Sequence, residues 1–585
     1  MNTKIRIRRA HKDIAPDEIF IDAQNLPDFD TKQFEGRLEK PIQRSNVVWL
    51  GAFLAVVAAV FVGRFFYLEI TDGTVYADKA NMNHLGDTVL FANRGIVTDR
   101  NGVPLITNTP YSPPTASSTT STTDPDASEE GFSTRDYTEM PGFGDLLGYV
   151  KYPAKDSSGN YFSTDYTAVA GIESYFDGEL EGQNGSKITE TDVSGNVVSQ
   201  STLYPPQDGN TLTLSIDSRI QTQLYDNMQG LAQQVGFHGG AAVIMDVTTG
   251  ELVAMTTYPE YDPNIMAAGT DSPAIESYLT DTHNVFLNRV TDGVYTPGSI
   301  VKPIVAMGAL NEGVITPDKQ ILSTGSISLP NPYDPSDPSV FYDWRPQGWV
   351  DMAHALAVSS DVYFYEVGGG YQDQKGLGIA NLEKYYHMFG LGEAMPGIFA
   401  GSQKGTIPDP AWKAINFPTD PTWRVGDTYF TAIGQYGDLV TPLQMVREAA
   451  AMATNGKLWT PTVLKIGANP EAGVYDTPQY TQVPLPASEF ATIQEGMRDD
   501  VLLGTGTGLN VSYVDVSAKT GTAELGVSKA NVNSWAIGYW PTEHPKYAFA
   551  VMMETGDRNN LLGGVYVLRE TFDWMEQHTP EYFAQ

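Results

Sequence analysis

Residues 296–310 read Thr-Pro-Gly-Ser-Ile-Val-Lys-Pro-Ile-Val-Ala-Met-Gly-Ala-Leu. Pro297-Gly298 breaks the chain, and the apolar stretch that follows predicts a helix beginning at or near Ser299. Residues three apart share a helix face, so Lys302 is expected one turn beyond Ser299 and beside its hydroxyl. A serine hydroxyl is a poor nucleophile without an adjacent base. Lysine is such a base only in its neutral form, which burial or nearby positive charge favours, and the start of a helix adds positive potential. Taken alone, the string also reads as an N-capping serine followed by a solvated lysine.

Two further strings lie downstream. Ser359-Ser360-Asp361 sits inside MAHALAVSSDVYFYEVG (352–368), where it can equally form a local cap or turn. Lys519-Thr520-Gly521-Thr522 sits in VSAKTGTAEL (516–525). The alternation of Val516, Ala518 and Thr520 predicts a strand, and Gly521 lets another backbone or a ligand approach closely. A strand edge presenting Lys519, Thr520 and Thr522 can hold a carboxylate. Each string is weak singly; together, in this order and at these separations, they carry more.

The flanking sequence sets the architecture. Ser218–Val235 places Ile220, Leu224 and Met228 at helical spacing. Residues 239–259 read as two strands around Thr248-Thr249-Gly250, and 534–541 and 546–555 as two more joined by a proline-bounded turn. Val565, Leu568, Phe572 and Met575 form one apolar helix face. Strands at both ends of a region with helices between them predict an α+β domain over 213–585, its sheet joining distant parts of the chain. Before it, ANRGIVTDRNGVPLITN (92–108) reads as a hairpin turning at Asp99–Gly102. The Ser/Thr/Pro-rich stretch 109–130 reads as a linker or long exposed loop. Short Gly- and Asn-punctuated segments over 171–213 complete a small β-rich domain over 71–212.

Val47 to Gly63 is an unbroken apolar run of 17 residues, followed by Arg64. With Arg64 snorkelling, the span reaches residue 70, enough for the ~20 residues a bilayer needs. The expected anchor is 46–70. Lys4, Arg6, Arg8, Arg9, Lys12, Lys32, Arg37, Lys40 and Arg44 precede it, and only Lys79 lies in the twenty residues after it. That asymmetry puts the N-terminus in the cytoplasm and the bulk of the chain outside. Residues 1–45, polar and without periodicity, read as a mostly disordered cytoplasmic tail. The 585 residues carry a formal net charge of -34, which repels phosphate backbones and argues against nucleic-acid binding. With no cysteine, disulfides, thiolate metal sites and cysteine nucleophiles are excluded. The eight histidines show no metal-ligand spacing, so neither a metal nor another cofactor is expected.

Ser299-x-x-Lys302, Ser359-x-Asp361 and Lys519-Thr520-Gly521, in that order, resemble the signature of penicillin-binding proteins and related β-lactamases. Arg94-Gly95 to Gly102 and Gly171-Ile172-Glu173 resemble landmarks of the class B N-terminal pedestal, or dimerisation, module. Asn288-Arg289 and Thr441-Pro442-Leu443-Gln444 are similar to landmarks of the transpeptidase domain. Ser-x-Asp, followed by Val-Tyr-Phe-Tyr, is similar to the elongation-type branch, penicillin-binding protein 2. The chain departs from the family in reading Gly434-Gln435-Tyr436-Gly437 where Gly-Gln-Gly is usual, and in the 109–130 stretch.

The resemblance implies a membrane-anchored serine DD-transpeptidase that cross-links peptidoglycan on the outer face of the cytoplasmic membrane and is acylated by β-lactams. It implies Ser299 as nucleophile, Lys302 as its proton acceptor, Ser359 as proton relay and Asp361 as a partner of substrate or Lys302. It further implies that Lys519, Thr520, Gly521 and Thr522 bind the donor carboxylate, and that the backbone N–H groups of Ser299 and Thr522 form the oxyanion hole. The implied partners are D-Ala-D-Ala stem peptides and a polytopic membrane glycosyltransferase. A DD-carboxypeptidase of the same fold and a non-catalytic β-lactam sensor or scaffold are the alternatives; no room for a glycosyltransferase domain is expected beside the pedestal.

Overall fold

The computed structural model describes residues 44–71, 85–110, 131–157, 161–191, 197–331, 334 and 336–584. The expected tail falls outside these residues except for its last two positions, as does the Ser/Thr/Pro-rich stretch from 111 to 130. Helix α1 (Arg44–Phe66) buries none of its side chains. Arg44–Ile70 has a mean hydropathy of 2.2 and is long and apolar enough to cross a membrane. The described residues from 87 to 190 and from 197 to 584 pack as a separate compact unit.

Five strands organise that unit: β1 (Gly239–Asp246), β2 (Leu252–Tyr258), β3 (Ser517–Leu525), β4 (Asn531–Trp540) and β5 (Tyr547–Asp557). Their order is β2-β1-β5-β4-β3, and every neighbouring pair is antiparallel. Strands from both ends of the domain therefore meet in one sheet, with β3 at its edge. Side chains alternate between the faces. Ala242 and Ile244 join the core under helices α2 (Ser218–Val235) and α7 (Gly564–His578). Ala241, Val243 and Met245 join the larger core on the opposite face. α5 (Pro442–Ala453) and α6 (Ala487–Leu503) pack on the sheet there, and α3 (Lys302–Asn311) and α4 (Asp361–Gly369) continue the same core beyond it. The helix ends follow local chemistry. Asp217 caps α2 by accepting from the Arg219 N–H at 3.1 Å. Thr441 and Gln444 form a reciprocal capping box at the start of α5, which explains that landmark.

In the pedestal, Val97–Thr98 and Pro104–Thr109 form the expected hairpin. Asp99 Oδ1 accepts from the Asn101 and Val103 N–H groups at 2.8 Å each, and Gly102 supplies a φ of 83°. Thr134–Tyr137 extends the sheet on one side. Leu212–Thr213 joins it on the other, parallel to Val97–Thr98, so the expected domain boundary at 212/213 falls inside a pedestal strand. Within 171–213, Gly171–Tyr175 and Asp177–Leu180 are short helices, and Gly185–Thr191 and Val197–Tyr204 are strands. The reason for the helices is an ion cluster. Glu173, fully buried, accepts from Arg94 Nε at 2.5 Å and Arg135 Nε at 2.8 Å, and Asp177 takes Arg94 at 2.6 Å. One helical turn brings both acids to the arginine, whereas in a strand residues four apart share a face but stand ~13 Å from each other, too far for one guanidinium. The two pedestal landmarks are thus the two halves of one buried pair.

Candidate active site

Ser299 lies in a turn of 3-10 helix (Gly298–Val301) that runs into α3 at Lys302. Two close approaches fix this turn. Gly298, at φ 59°, donates its N–H to the Gly434 carbonyl at 2.9 Å. Gly434, at φ 72°, stands so near Gly298 that a Cβ would overlap its backbone. On the other side, Gly521 of β3 faces Pro297 and Ile300. The unusual Gly-Gln-Tyr-Gly loop keeps a left-handed turn: Tyr436 has φ 66°. That conformation is costly for a non-glycine residue, and the ring is held by Phe417 (5.9 Å, stacked), Trp412 (6.0 Å) and Trp423 (5.8 Å).

Lys302 is completely buried. Its ammonium donates to the Ser359 carbonyl at 2.9 Å, the Ser359 hydroxyl at 3.3 Å and Asp361 Oδ1 at 2.7 Å, and it lies over the Phe364 ring at 5.3 Å. All three of these hydrogen bonds go to the second motif. A lysine stem is long enough to leave the turn it starts on, and the carboxylate at the start of α4 attracts it more strongly than a neutral hydroxyl does.

The second motif is strained and braced. Ser359 has φ 54°, a conformation rarely held by non-glycine residues outside functional sites. Ser360 caps α4 by accepting from the Tyr363 N–H at 3.3 Å. Its hydroxyl donates to Asp343 Oδ2 at 2.7 Å, and the same oxygen accepts from Ser323 and the Val362 N–H. Asp343 thus holds the turn that presents Ser359 and Asp361.

On β3, Lys519 is buried, Thr520 half-buried and Thr522 exposed. Lys519 Nζ donates to Asp500 Oδ2 at 3.2 Å and to the Thr520 carbonyl at 3.0 Å. Gly521, between Thr520 and Thr522, packs closely on the nucleophile turn. Burial raises the Asp361 carboxyl above its ordinary range, with Lys302 pulling the other way. Burial also lowers the Lys519 ammonium, and Asp500 opposes that. The turn carrying Ser299 therefore borders two buried lysine–aspartate pairs. Among the described residues, no group of three His, Cys, Asp or Glu side chains is arranged to hold a metal ion. Sequence reasoning missed Asp343, Asp500 and Thr505. The only available signal for the latter pair was Asp499-Asp500 followed by Gly504-Thr505-Gly506 just ahead of the lysine strand.

Residues 240–566 match the penicillin-binding protein transpeptidase domain, and residues 125–214 match the penicillin-binding protein dimerisation domain. The chain belongs to the class B, elongation-type penicillin-binding proteins. Peptidoglycan D,D-transpeptidase MrdA of Haemophilus influenzae is 29% identical over 439 residues, covering 70% of this chain and 64% of that protein; the chain thus spans just under two thirds of that relative's length. MrdA of Escherichia coli is 26% identical over 607 residues, covering 89% of this chain and 92% of that one. The penicillin-binding protein PBP2 of Helicobacter pylori, solved in complex with MreC, superposes with a TM-score of 0.67 at 25% identity, covering 85% of this chain and all of that one.

Proposed function

We propose that this protein is a membrane-anchored serine D,D-transpeptidase that cross-links peptidoglycan stem peptides during cell-wall elongation and is acylated by β-lactams. The observation that carries the reading is Lys302: wholly buried, one turn after Ser299, and hydrogen-bonded to both Ser359 and Asp361. The family and its relatives support the same activity.

In the first step, Ser299 Oγ attacks the carbonyl of the penultimate D-Ala of a donor stem, and its proton passes to Lys302, whose resting ammonium must first give up a proton. The C–N bond to the terminal D-Ala then breaks. Its nitrogen takes up a proton, which the Ser359 hydroxyl, 3.3 Å from Lys302 Nζ, is placed to relay. In the second step, the amine of an acceptor stem attacks the ester, loses a proton by the reverse route and releases Ser299. Backbone N–H groups of Ser299 and Thr522 would take the developing oxyanion, a contribution of several kcal/mol when preorganised. Lys519, Thr520 and Thr522 would hold the donor's terminal carboxylate.

The anchor and its flanking charges support a single pass through the cytoplasmic membrane with the N-terminus inside. Working partners are then a polytopic membrane glycosyltransferase, which supplies new glycan, and a counterpart of the MreC with which the Helicobacter pylori protein was solved in complex. The full-length protein, given a pentapeptide donor and an amine acceptor, should release D-Ala and form the cross-linked product. Hydrolysed tetrapeptide alone, whatever the acceptor, would mark a carboxypeptidase, and no turnover with intact penicillin binding would mark a sensor.

A further inference from the structure

Asp500 sits in the last turn of α6 and is wholly inaccessible to solvent. A carboxylate is disfavoured near the negative end of a helix and in a buried site, unless its oxygens are fully hydrogen-bonded. Here they are, and the division is clean. Oδ1 accepts from the Thr505 hydroxyl at 2.9 Å and the Gly506 N–H at 2.5 Å. Oδ2 accepts from Lys519 Nζ at 3.2 Å and the Thr520 N–H at 3.3 Å. The Thr505 and Thr520 hydroxyls bond each other across the gap, and the Thr505 N–H donates to the Ala357 carbonyl at 3.3 Å, two residues before Ser359. One carboxylate therefore joins the lysine strand, the 504–506 loop and the approach to the second motif.

We propose that Asp500 is a positioning residue that presets Lys519, Thr520 and Thr505 as one receptor for the terminal carboxylate of the acyl donor. The inference rests on the transpeptidase reading of the site and extends it to a residue behind the cleft and to Thr505, an exposed hydroxyl at its rim. Lys519 faces Asp500 from α6, Lys302 from the start of α3 and Asp361 from the start of α4. Lys302 and Asp361 largely offset each other as an ion pair. Asp500 is thus the carboxylate that most opposes the lowering that burial imposes on the Lys519 ammonium.

The test is Asp500→Asn in the full-length protein, with benzylpenicillin and its methyl ester as probes. In the variant, Oδ1 still serves Thr505 and Gly506, but an amide N–H faces the two donors Lys519 Nζ and Thr520 N–H. Acylation by the free acid should fall about tenfold or more, the loss of a charge-assisted hydrogen bond, with the ester nearly unaffected. The alkaline limb of the free-acid profile should move to lower pH. The sign follows from Lys519: burial already lowers its ammonium and Asp500 resists, so losing Asp500 neutralises the cation at lower pH. Thr505→Val, which keeps the charge, should weaken capture of the free acid without moving that limb. Equal losses for acid and ester with an unmoved limb, or no loss, would overturn the proposal. If Asp500→Asn does not fold, Thr505→Val decides: a loss confined to the free acid supports the proposal, and any other result overturns it. A wild-type protein not acylated at Ser299 would instead defeat the transpeptidase reading.

Discussion

Gly521 separates the lysine strand from the nucleophile turn, and Gly521→Ala measures what that separation is worth. A Cβ built there lies 2.9 Å from Ile300 Cγ2, 3.0 Å from the Pro297 carbonyl oxygen and 3.3 Å from the Ile300 nitrogen, where ordinary contact begins at 3.4 Å. The shortfalls are 0.5 and 0.4 Å for the nearest two atoms. Neither neighbour gives cheaply: the oxygen is backbone, and Ile300 is fully buried. The turn carrying Ser299 must therefore retreat from Lys519–Thr522 by about half an ångström. Since a misplacement of ~1 Å costs on the order of a hundredfold in rate, about tenfold is expected, or ~1.4 kcal/mol of barrier. Overpacking should also cost ~1–3 kcal/mol of stability. The assay is the second-order rate of Ser299 acylation by a fluorescent penicillin on full-length protein in detergent, with the melting temperature measured alongside. A wild-type rate would refute the reasoning, whatever the melting temperature did, because the turn would then have moved without consequence or not moved at all.

Asp361→Asn should shift the acidic limb of penicillin acylation to lower pH. Burial raises the Asp361 carboxyl, so the wild-type cleft takes up a proton there that asparagine cannot; an unchanged rate and profile would reduce residue 361 to a helix cap. Glu173→Ala leaves Arg135 without an acidic partner in the pedestal interior and Arg94 with Asp177 alone, and breaking a buried pair in this way costs about 3–5 kcal/mol. Denaturant unfolding monitored in the pedestal should show that loss, and a change below ~1 kcal/mol would mean that water reaches the arginines.

Much of this was legible in the sequence, for identifiable reasons. The strands at 239–259 and 534–555 announce themselves by composition and turn residues, and the sheet joins them as expected. Ser299, Ser359 and Lys519 were found because they sit in short strings whose spacing along the chain is informative. What spacing could not supply was the direction of long side chains. Lys302 leaves its own turn for Asp361, 59 positions away, and Lys519 turns from the strand edge into the interior to meet Asp500. Asp343 carries no local pattern and Asp500 only a faint one, since their roles exist only once three elements meet. The 171–180 segment shows the same limit: its glycines mark turns, whereas its short helices carry Glu173 to Arg94 in the interior, a long-range pairing that no local pattern announces.

The central claim is that Ser299 is the residue acylated. Full-length protein treated with benzylpenicillin, digested and mapped by mass spectrometry should carry the penicilloyl group on the peptide containing Ser299 and on no other, and Ser299→Ala should carry none while keeping its melting temperature. An adduct on any other residue, or undiminished labelling of a folded Ser299→Ala protein, would contradict the account.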